Sequence, residues 1–264
     1  MTIADVSSRS LADLIRLDGR RAVVTGSARG IGAAIARRFA EAGAAVAVTD
    51  IRDDLAAETV RGIEERGGTA MALTLDARQE SDFVRTIDAV TEAWGVPDIW
   101  VNNVGTYPAA PTLEIPTDQW DKVLTENLRS AFIGAKLAAQ RMIDANLPGV
   151  IINMSSIAGV RLARGNGTDY AVAKAGVAMF TQMLGTEVGR NDIRVVALAP
   201  GFVVTPGVEE SELYRDWIPV AAANTPLGRN LVPDDVARVA LFLASDMAAM
   251  ITSQVIVVDG ARFS

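Results

Sequence analysis

Short, wholly apolar runs alternate along the chain with longer amphipathic segments. Apolar, β-branched runs read as strands at Ala22–Thr25, Ala45–Thr49, Ala70–Leu75, Ile99–Val101, Val150–Asn153, Ile193–Leu198 and Gln254–Val258. Between them, a three-to-four-residue period predicts helices at Ile31–Ala42, Asp53–Arg66, Ser81–Trp94, Thr117–Ala145, Tyr170–Val188 and Pro233–Ala244. Gly67-Gly68 stops the second helix, Pro148-Gly149 follows the fourth, and Pro233 stands near the first position of the last, where helices tolerate it. Strands that are apolar throughout, rather than at every second residue, are buried on both faces. With helices between them they predict an α/β fold, a doubly wound parallel β-sheet flanked by helices on both faces. No linker, low-complexity tract or internal repeat divides the chain. One domain is expected over residues 18–264, after an extension of residues 1–17.

Composition narrows the chemistry. Half of the 264 residues are hydrophobic, enough for a sizeable core. The chain has no Cys and no His. Disulfides, cysteine or histidine metal sites, a Ser-His-Asp triad and a histidine general base are therefore excluded, and no metal is expected. A formal net charge of −7 argues against non-specific binding of nucleic acid or an anionic membrane. The apolar runs are well short of the ~18 residues that a membrane span needs. The first residues carry Asp5, Arg9, Asp13 and Arg16 and no apolar signal core, so the expected compartment is the cytoplasm.

The first strand runs into Thr25-Gly26-Ser27-Ala28-Arg29-Gly30-Ile31-Gly32. Glycines admit positive φ and a close approach of backbone to ligand, and the helix that starts here aims its free N–H groups and dipole at the turn, as suits a pyrophosphate. The spacing is G-x-x-x-G-x-G rather than G-x-G-x-x-G, and by itself it also fits a plain strand-to-helix connection. The second strand ends in Asp50, about 20 residues on, where an acid is placed to bond adenosine ribose hydroxyls. Asp50 would also repel a 2′-phosphate, by on the order of 4 kcal/mol at ~4 Å and an effective dielectric of ~20. That favours NAD over NADP. Arg29 and Arg52 argue the other way, since each could reach a 2′-phosphate, but Asp50 sits at the strand end itself.

Tyr170 and Lys174 stand at i and i+4, on one face of a predicted helix. A nearby ammonium stabilises phenolate, so Lys174, together with a nicotinamide that is positive in its oxidised state, is expected to bring Tyr170 down from its reference value near 10 toward working pH, where acid/base catalysis is effective. An isolated Y-x-x-x-K also occurs as a surface pair.

Taken together these motifs resemble the short-chain dehydrogenase/reductase family. The resemblance runs from about Leu17 to Asp259 and rests on Thr25 to Gly32, Asp76, Asn102-Asn103-Val104-Gly105, Asn127, Ser155-Ser156, Tyr170 with Lys174, Pro200-Gly201 with Thr205, and Val258-Asp259-Gly260. It implies a Rossmann-like single domain and an oxidoreductase that moves a hydride between NAD(H) and a secondary alcohol or ketone of the polyol, cyclic alcohol or hydroxysteroid kind. Tyr170 resembles the acid/base, Lys174 the lysine that lowers its pKa and bonds the nicotinamide ribose, Ser156 the serine on the substrate oxygen, and Asn127 the asparagine that holds a relay water. The implied cofactor-binding set is Gly26, Ser27, Arg29, Gly30, Ile31, Gly32, Asp50, Asp76, Ala77, Asn103, Gly105, Tyr170, Lys174, Pro200, Gly201, Val203 and Thr205. Asp76 resembles the residue near the adenine amine, Asn103 one lining the adenosine, and Val203 and Thr205 contacts to the carboxamide. Read singly, Ser155 or Ser156 and Thr205 are also helix or turn caps, and Asn127 a buried amide.

The chain departs from the family at Val104, where alanine is usual, at Ala261, where a second glycine is frequent, and in the 14-residue step from Ser156 to Tyr170, which the Gly- and Arg-rich segment 161–168 absorbs. The family places its substrate lid at about Phe202 to Pro226, here mixing Phe202, Val208, Leu213, Tyr214, Trp217 and Ile218 with Glu209, Glu210, Glu212 and Asp216. Arg161 and Arg164 could attract an anionic substrate, or be a solvated loop pair. The family is usually a homotetramer, built through its long fourth and fifth helices and its C-terminal strand. Two rival readings remain: an NADPH-dependent 3-oxoacyl reductase of the same family, and a non-catalytic dinucleotide sensor.

Overall fold

The computed structural model describes residues 5–161 and 167–262, apart from the side chain of Leu213. The elements in chain order are α1 (Leu11–Ile15), β1 (Arg21–Thr25), α2 (Gly30–Glu41), β2 (Ala45–Asp50), α3 (Asp53–Glu64), β3 (Thr69–Thr74), α4 (Glu80–Trp94), β4 (Ile99–Asn102), α5 (Thr117–Leu124), α6 (Ser130–Asp144), β5 (Gly149–Met154), α7 (Thr168–Val188), β6 (Ile193–Pro200), α8 (Pro206–Glu210), α9 (Glu212–Arg215), α10 (Trp217–Ala223), α11 (Pro233–Ala244) and β7 (Val255–Val258). The strands form one parallel sheet in the order β3-β2-β1-β4-β5-β6-β7. Strand order reverses between β1 and β4, which opens a crevice at the carboxyl ends of these two strands.

The continuous apolar runs have the expected cause. Val24, Val48, Val101 and Ile152 face α2, α3 and α11, whereas Val23, Ala47, Trp100 and Ile151 face α4, α6 and α7. Alternate residues thus enter two separate cores, and β4 and β5 are buried at every position. The edges differ. In β3 exposed and half-buried residues are mixed: no strand pairs beyond it, and Ala70 on one face and Met71 and Leu73 on the other are only partly buried against the two cores.

Three other differences from the sequence reading matter. Leu17 is fully buried in the core that holds α2, so packing begins inside the extension, whose short α1 has no buried residue. The predicted helix Thr117–Ala145 is interrupted by a π-helical turn over Thr125–Arg129. The lid region is three short helices, α8, α9 and α10. Among the described residues no helix is long and apolar enough to cross a membrane. Arg164, proposed as an anion contact, lies outside the described residues, as does most of the segment 161–168.

Candidate active site

At the end of β1, Gly26 and Gly30 both adopt φ of +62°, a left-handed conformation that bends the chain tightly into α2. Gly32 is required by space rather than by φ: a Cβ there would lie 2.4 Å from the Gly26 carbonyl oxygen. Arg29, the N-cap of α2, makes no side-chain cap bond, which leaves the first-turn amides open to an anion. The turn is braced from behind. The Asn103 amide donates to the Thr25 and Gly26 carbonyls at 3.1 and 2.9 Å. Ser27 is fully buried and donates to the Val24 carbonyl at 2.6 Å while accepting the Thr49 N–H. Ser27 and Asn103 therefore shape the turn, a part the sequence reading did not give them.

Asp50 is buried at the end of β2. One carboxylate oxygen accepts the Ala28 N–H at 3.2 Å and the other the Arg52 N–H and Nε at 3.1 and 3.2 Å. Arg52 is thus held against Asp50, and Arg29 reaches the lid instead, where it pairs with Glu210 at 2.6 Å. Asp76 lies just past β3 and forms an ion pair with Arg78, which holds its carboxyl below the usual range; Ala77 beside it is buried. A glycine-lined turn, open amides and an acid at the second strand end fit the diphosphate and ribose of a dinucleotide.

Tyr170 and Lys174 sit on the first turns of α7, over the end of β5. The Tyr170 hydroxyl shares a hydrogen bond with Ser156. Ser155 faces elsewhere, and its hydroxyl donates to the Lys174 carbonyl at 2.8 Å and fastens α7 to β5. This separates the two neighbouring serines. Gly159 completes the junction, since a Cβ there would be 2.4 Å from the Lys174 carbonyl carbon.

Lys174 by itself does not supply the expected lowering. Burial pushes the Tyr170 phenol up to about 12, and the opposing influence is the Ser156 hydrogen bond rather than Lys174. The reason is geometric. The Lys174 ammonium lies 5.7 Å from the Tyr170 ring centroid and donates to the Met154 carbonyl at 2.8 Å, so it is not aimed at the phenolic oxygen. Burial in turn pushes Lys174 down to about 8.

Asn127 occupies the π-helical turn. Its amide donates to the Thr106 and Val123 carbonyls, both at 2.9 Å, while its buried Oδ1 has no partner. A Cβ added at Gly105 would lie 2.6 Å from that Oδ1 and 3.2 Å from Lys174 Nζ, so the two polar atoms face one small space that glycine keeps open. An orphaned acceptor beside an ammonium fits a bridging water. Below the site, Trp100 Nε1 donates to Asn102 Oδ1, the Asn102 amide to Asn153 Oδ1, and the Asn153 amide to Thr181, at 2.8, 2.8 and 3.0 Å.

The structure places Ile31, Asn103, Gly105, Ser156, Tyr170, Lys174, Pro200, Gly201, Val203 and Thr205 around one cavity of about 260 Å³. Thr205 also caps α8, accepting the Val208 N–H at 3.3 Å. Gly26, Gly30, Gly32, Asp50 and Asp76 form the turn and strand ends beside it. The sequence reading missed Tyr107. Its ring packs edge-on against Tyr170, with centroids 6.3 Å apart, and against Tyr214 of the lid at 5.4 Å, and the Tyr214 hydroxyl donates to the Tyr107 carbonyl at 2.7 Å. A rare residue type two positions after the Asn-Asn-Val-Gly motif was the available signal: the chain has three tyrosines, and all three meet here.

Known proteins share this fold and are similar in sequence. A family profile described as Enoyl-(Acyl carrier protein) reductase matches residues 26–261. The chain is 41% identical to 3beta-hydroxysteroid dehydrogenase 1 of Eggerthella lenta, over 92% of the chain and 94% of that protein. It is 35% identical to the 3-oxoacyl-[acyl-carrier-protein] reductase FabG of Chlamydia muridarum, over 92% of the chain and 97% of that protein. The solved structure of a 7 alpha-hydroxysteroid dehydrogenase complexed with NADH and 7-oxo glycochenodeoxycholic acid superposes with a TM-score of 0.89 at 32% identity, covering 95% of this chain and 97% of that one. Fold, site and relatives agree, and the chain belongs to the short-chain dehydrogenase/reductase family, as an oxidoreductase.

Proposed function

We propose that the chain is an NAD(H)-dependent oxidoreductase that interconverts a secondary alcohol and its ketone. The observation that carries this is the hydrogen-bonded Ser156–Tyr170 pair beside Lys174, in a cavity that opens next to the glycine turn. Ser156 and the Tyr170 hydroxyl hold the substrate oxygen from the protein side. In oxidation Tyr170 Oη takes the hydroxyl proton; in reduction it gives that proton back as charge develops on oxygen. The nicotinamide, when bound, supplies the hydride acceptor or donor and, in its oxidised form, a positive charge. The proton leaves through Lys174 Nζ toward a water that Asn127 Oδ1 would hold in the space above Gly105. Asp50 supports NAD, because it would oppose a 2′-phosphate and already holds Arg52. The apolar, aromatic cavity walls and the hydroxysteroid relatives support a cyclic alcohol over a polyol.

The test is turnover of cyclic and steroid-like secondary alcohols by wild type and Tyr170→Phe, with NADH binding measured alongside. A variant that binds cofactor and still turns over near the wild-type rate sinks this reading. The FabG relatives favour a second reading, NADPH-dependent reduction of a 3-oxoacyl substrate. Faster turnover of a 3-oxoacyl thioester with NADPH than of any cyclic alcohol with NAD would select it. We also propose self-association, to a homotetramer, through the face of α6 and α7 that exposes Phe132, Met179 and Met183, the two methionines by 59% and 65%. Light scattering on the purified chain reads this directly.

A further inference from the structure

Two guanidinium groups stand near the end of the cleft where Asp50 would meet a dinucleotide ribose, and each is held by an acid on a different element. Arg52 is held by Asp50 at the end of β2, with Nε 3.2 Å from the carboxylate. Arg29, in the glycine turn, is held by Glu210 at the last position of α8, with Nη1 2.6 Å from Oε2. The first pair is local, two residues apart. The second spans 181 residues and ties the turn to the lid.

The lid helix meets the turn at more than this one contact. A Cβ added at Gly30 would lie 3.6 Å from the Thr205 side chain, and one added at Gly207, the second residue of α8, would lie 3.6 Å from Arg29 Nη2. The Arg29 guanidinium therefore runs along α8, from its first turn to Glu210 at its end. The same helix also walls the cavity, through its N-cap Thr205 and the buried Val208. One side of α8 thus serves the cavity, and its end serves the cation of the glycine turn.

Arg29 is close to the ribose acid along the chain. The preceding residue, Ala28, gives its N–H to Asp50 Oδ2 at 3.2 Å. A 2′-phosphate beside Asp50 would carry about two negative charges, and arginine takes such a group through paired N–H donors. The ion pair with Glu210 turns Arg29 the other way. Its two side chains are 37% and 62% exposed, so the hold is worth no more than about 1 kcal/mol and can be exchanged for a stronger anion.

We propose that Glu210, on the lid, is a positioning residue for cofactor choice. It holds Arg29 off the 2′-phosphate position and so adds to the preference for NAD that Asp50 sets. The proposal rests on the dinucleotide reading above. Its test compares variants with wild type, so the result does not depend on which dinucleotide wild type prefers.

The test is titration of NADH and NADPH into wild type, Glu210→Gln and the double variant Arg29→Gln/Glu210→Gln, followed by nicotinamide fluorescence. The two ligands differ only in the 2′-phosphate. Glu210→Gln keeps the shape of the lid side chain and removes its charge. It should raise the affinity for NADPH relative to NADH by about fivefold, with NADH affinity nearly unchanged. Adding Arg29→Gln should cancel the gain, because the gain is delivered through Arg29. An unchanged ratio in Glu210→Gln, an equal gain for both dinucleotides, or a gain that survives the loss of Arg29 overturns the proposal. NADH binding reports that each variant is folded. Wild type that binds NADPH as tightly as NADH sinks the NAD reading, and the shift in Glu210→Gln still decides the part of Glu210. Binding of neither dinucleotide by wild type sinks both.

Discussion

The Ser155 hydroxyl donates to the Lys174 carbonyl at 2.8 Å, while the next residue, Ser156, bonds the Tyr170 hydroxyl. Two adjacent serines thus serve two consecutive levels of one helix, the first its backbone and the second its reactive side chain. Ser155→Ala removes a buried hydrogen bond worth about 1 kcal/mol and should lower the melting temperature with kcat nearly retained. Ser156→Ala should leave stability within about 1 kcal/mol and lower kcat by about 10²–10³-fold, as loss of a donor to a developing oxyanion does. Thermal melts and steady-state rates on the two variants separate these roles.

Burial opposes both ionic forms at the centre, pushing Tyr170 up to about 12 and Lys174 down to about 8. Below pH 8, Tyr170 is the neutral acid, suited to donate a proton in ketone reduction. Alcohol oxidation needs phenolate, so its rate should rise with pH through the alkaline range, while reduction, which uses the neutral phenol, stays nearly flat. Rate profiles in both directions from pH 6 to 11 show this; an oxidation rate that is level from pH 6 upward would contradict it.

The same Lys174 carries a stability cost. Its folded pKa, about 8, lies below its unfolded value of 10.5, so the unfolded chain binds more protons between these values. This group's contribution therefore favours folding increasingly as pH rises from about 8 to 10.5, and is unfavourable in full below 8. Lys174→Met removes a penalty on the order of a few kcal/mol near neutral pH and should raise the melting temperature by several degrees while abolishing turnover. Calorimetry at pH 7 measures the gain.

Asp50 faces the glycine turn and restrains Arg52. Asp50→Ser removes the negative charge and frees that guanidinium. The ratio of kcat/KM for NADP to that for NAD should rise by about tenfold to a hundredfold, a fraction of the full Coulomb effect because solvent screens the strand end. An unchanged ratio would mean that Asp50 does not set cofactor choice.

Gly159 lies so close to α7 that an added methyl would sit 2.4 Å from the Lys174 carbonyl carbon. Gly159→Ala must push the helix away, at a cost of about 1–3 kcal/mol, and carries Tyr170 away from Ser156 with it. Both melting temperature and kcat should fall, whereas Gly62→Ala, inside α3 at a position with open space, should leave kcat unchanged and raise the melting temperature slightly, by the helix preference of Ala of ~1 kcal/mol.

The layered fold was legible because burial on two faces leaves an unbroken apolar run, as in Val150 to Asn153. The glycine turn, Asp50 and the Tyr170–Lys174 step could be read because each is a local spacing. Long-range contacts left no such mark. Nothing in the segment Thr117–Ala145 signals that the helix opens into a π turn at Asn127, because that strain is imposed by packing. The docking of Tyr107 between Tyr170 and Tyr214 joins three distant segments. The rise in the Tyr170 pKa was missed for a related reason: sequence spacing gives the distance to Lys174 but not the direction of its ammonium.

The convergence of all three tyrosines on one cavity gives the chain a built-in reporter. Replacing tyrosine globally with 3-fluorotyrosine would place every fluorine nucleus of the protein at the cleft: one on the acid/base, one on its neighbour and one on the lid. A three-line ¹⁹F spectrum would then follow proton loss, ligand arrival and lid movement at separate frequencies, with no background from the remainder of the fold.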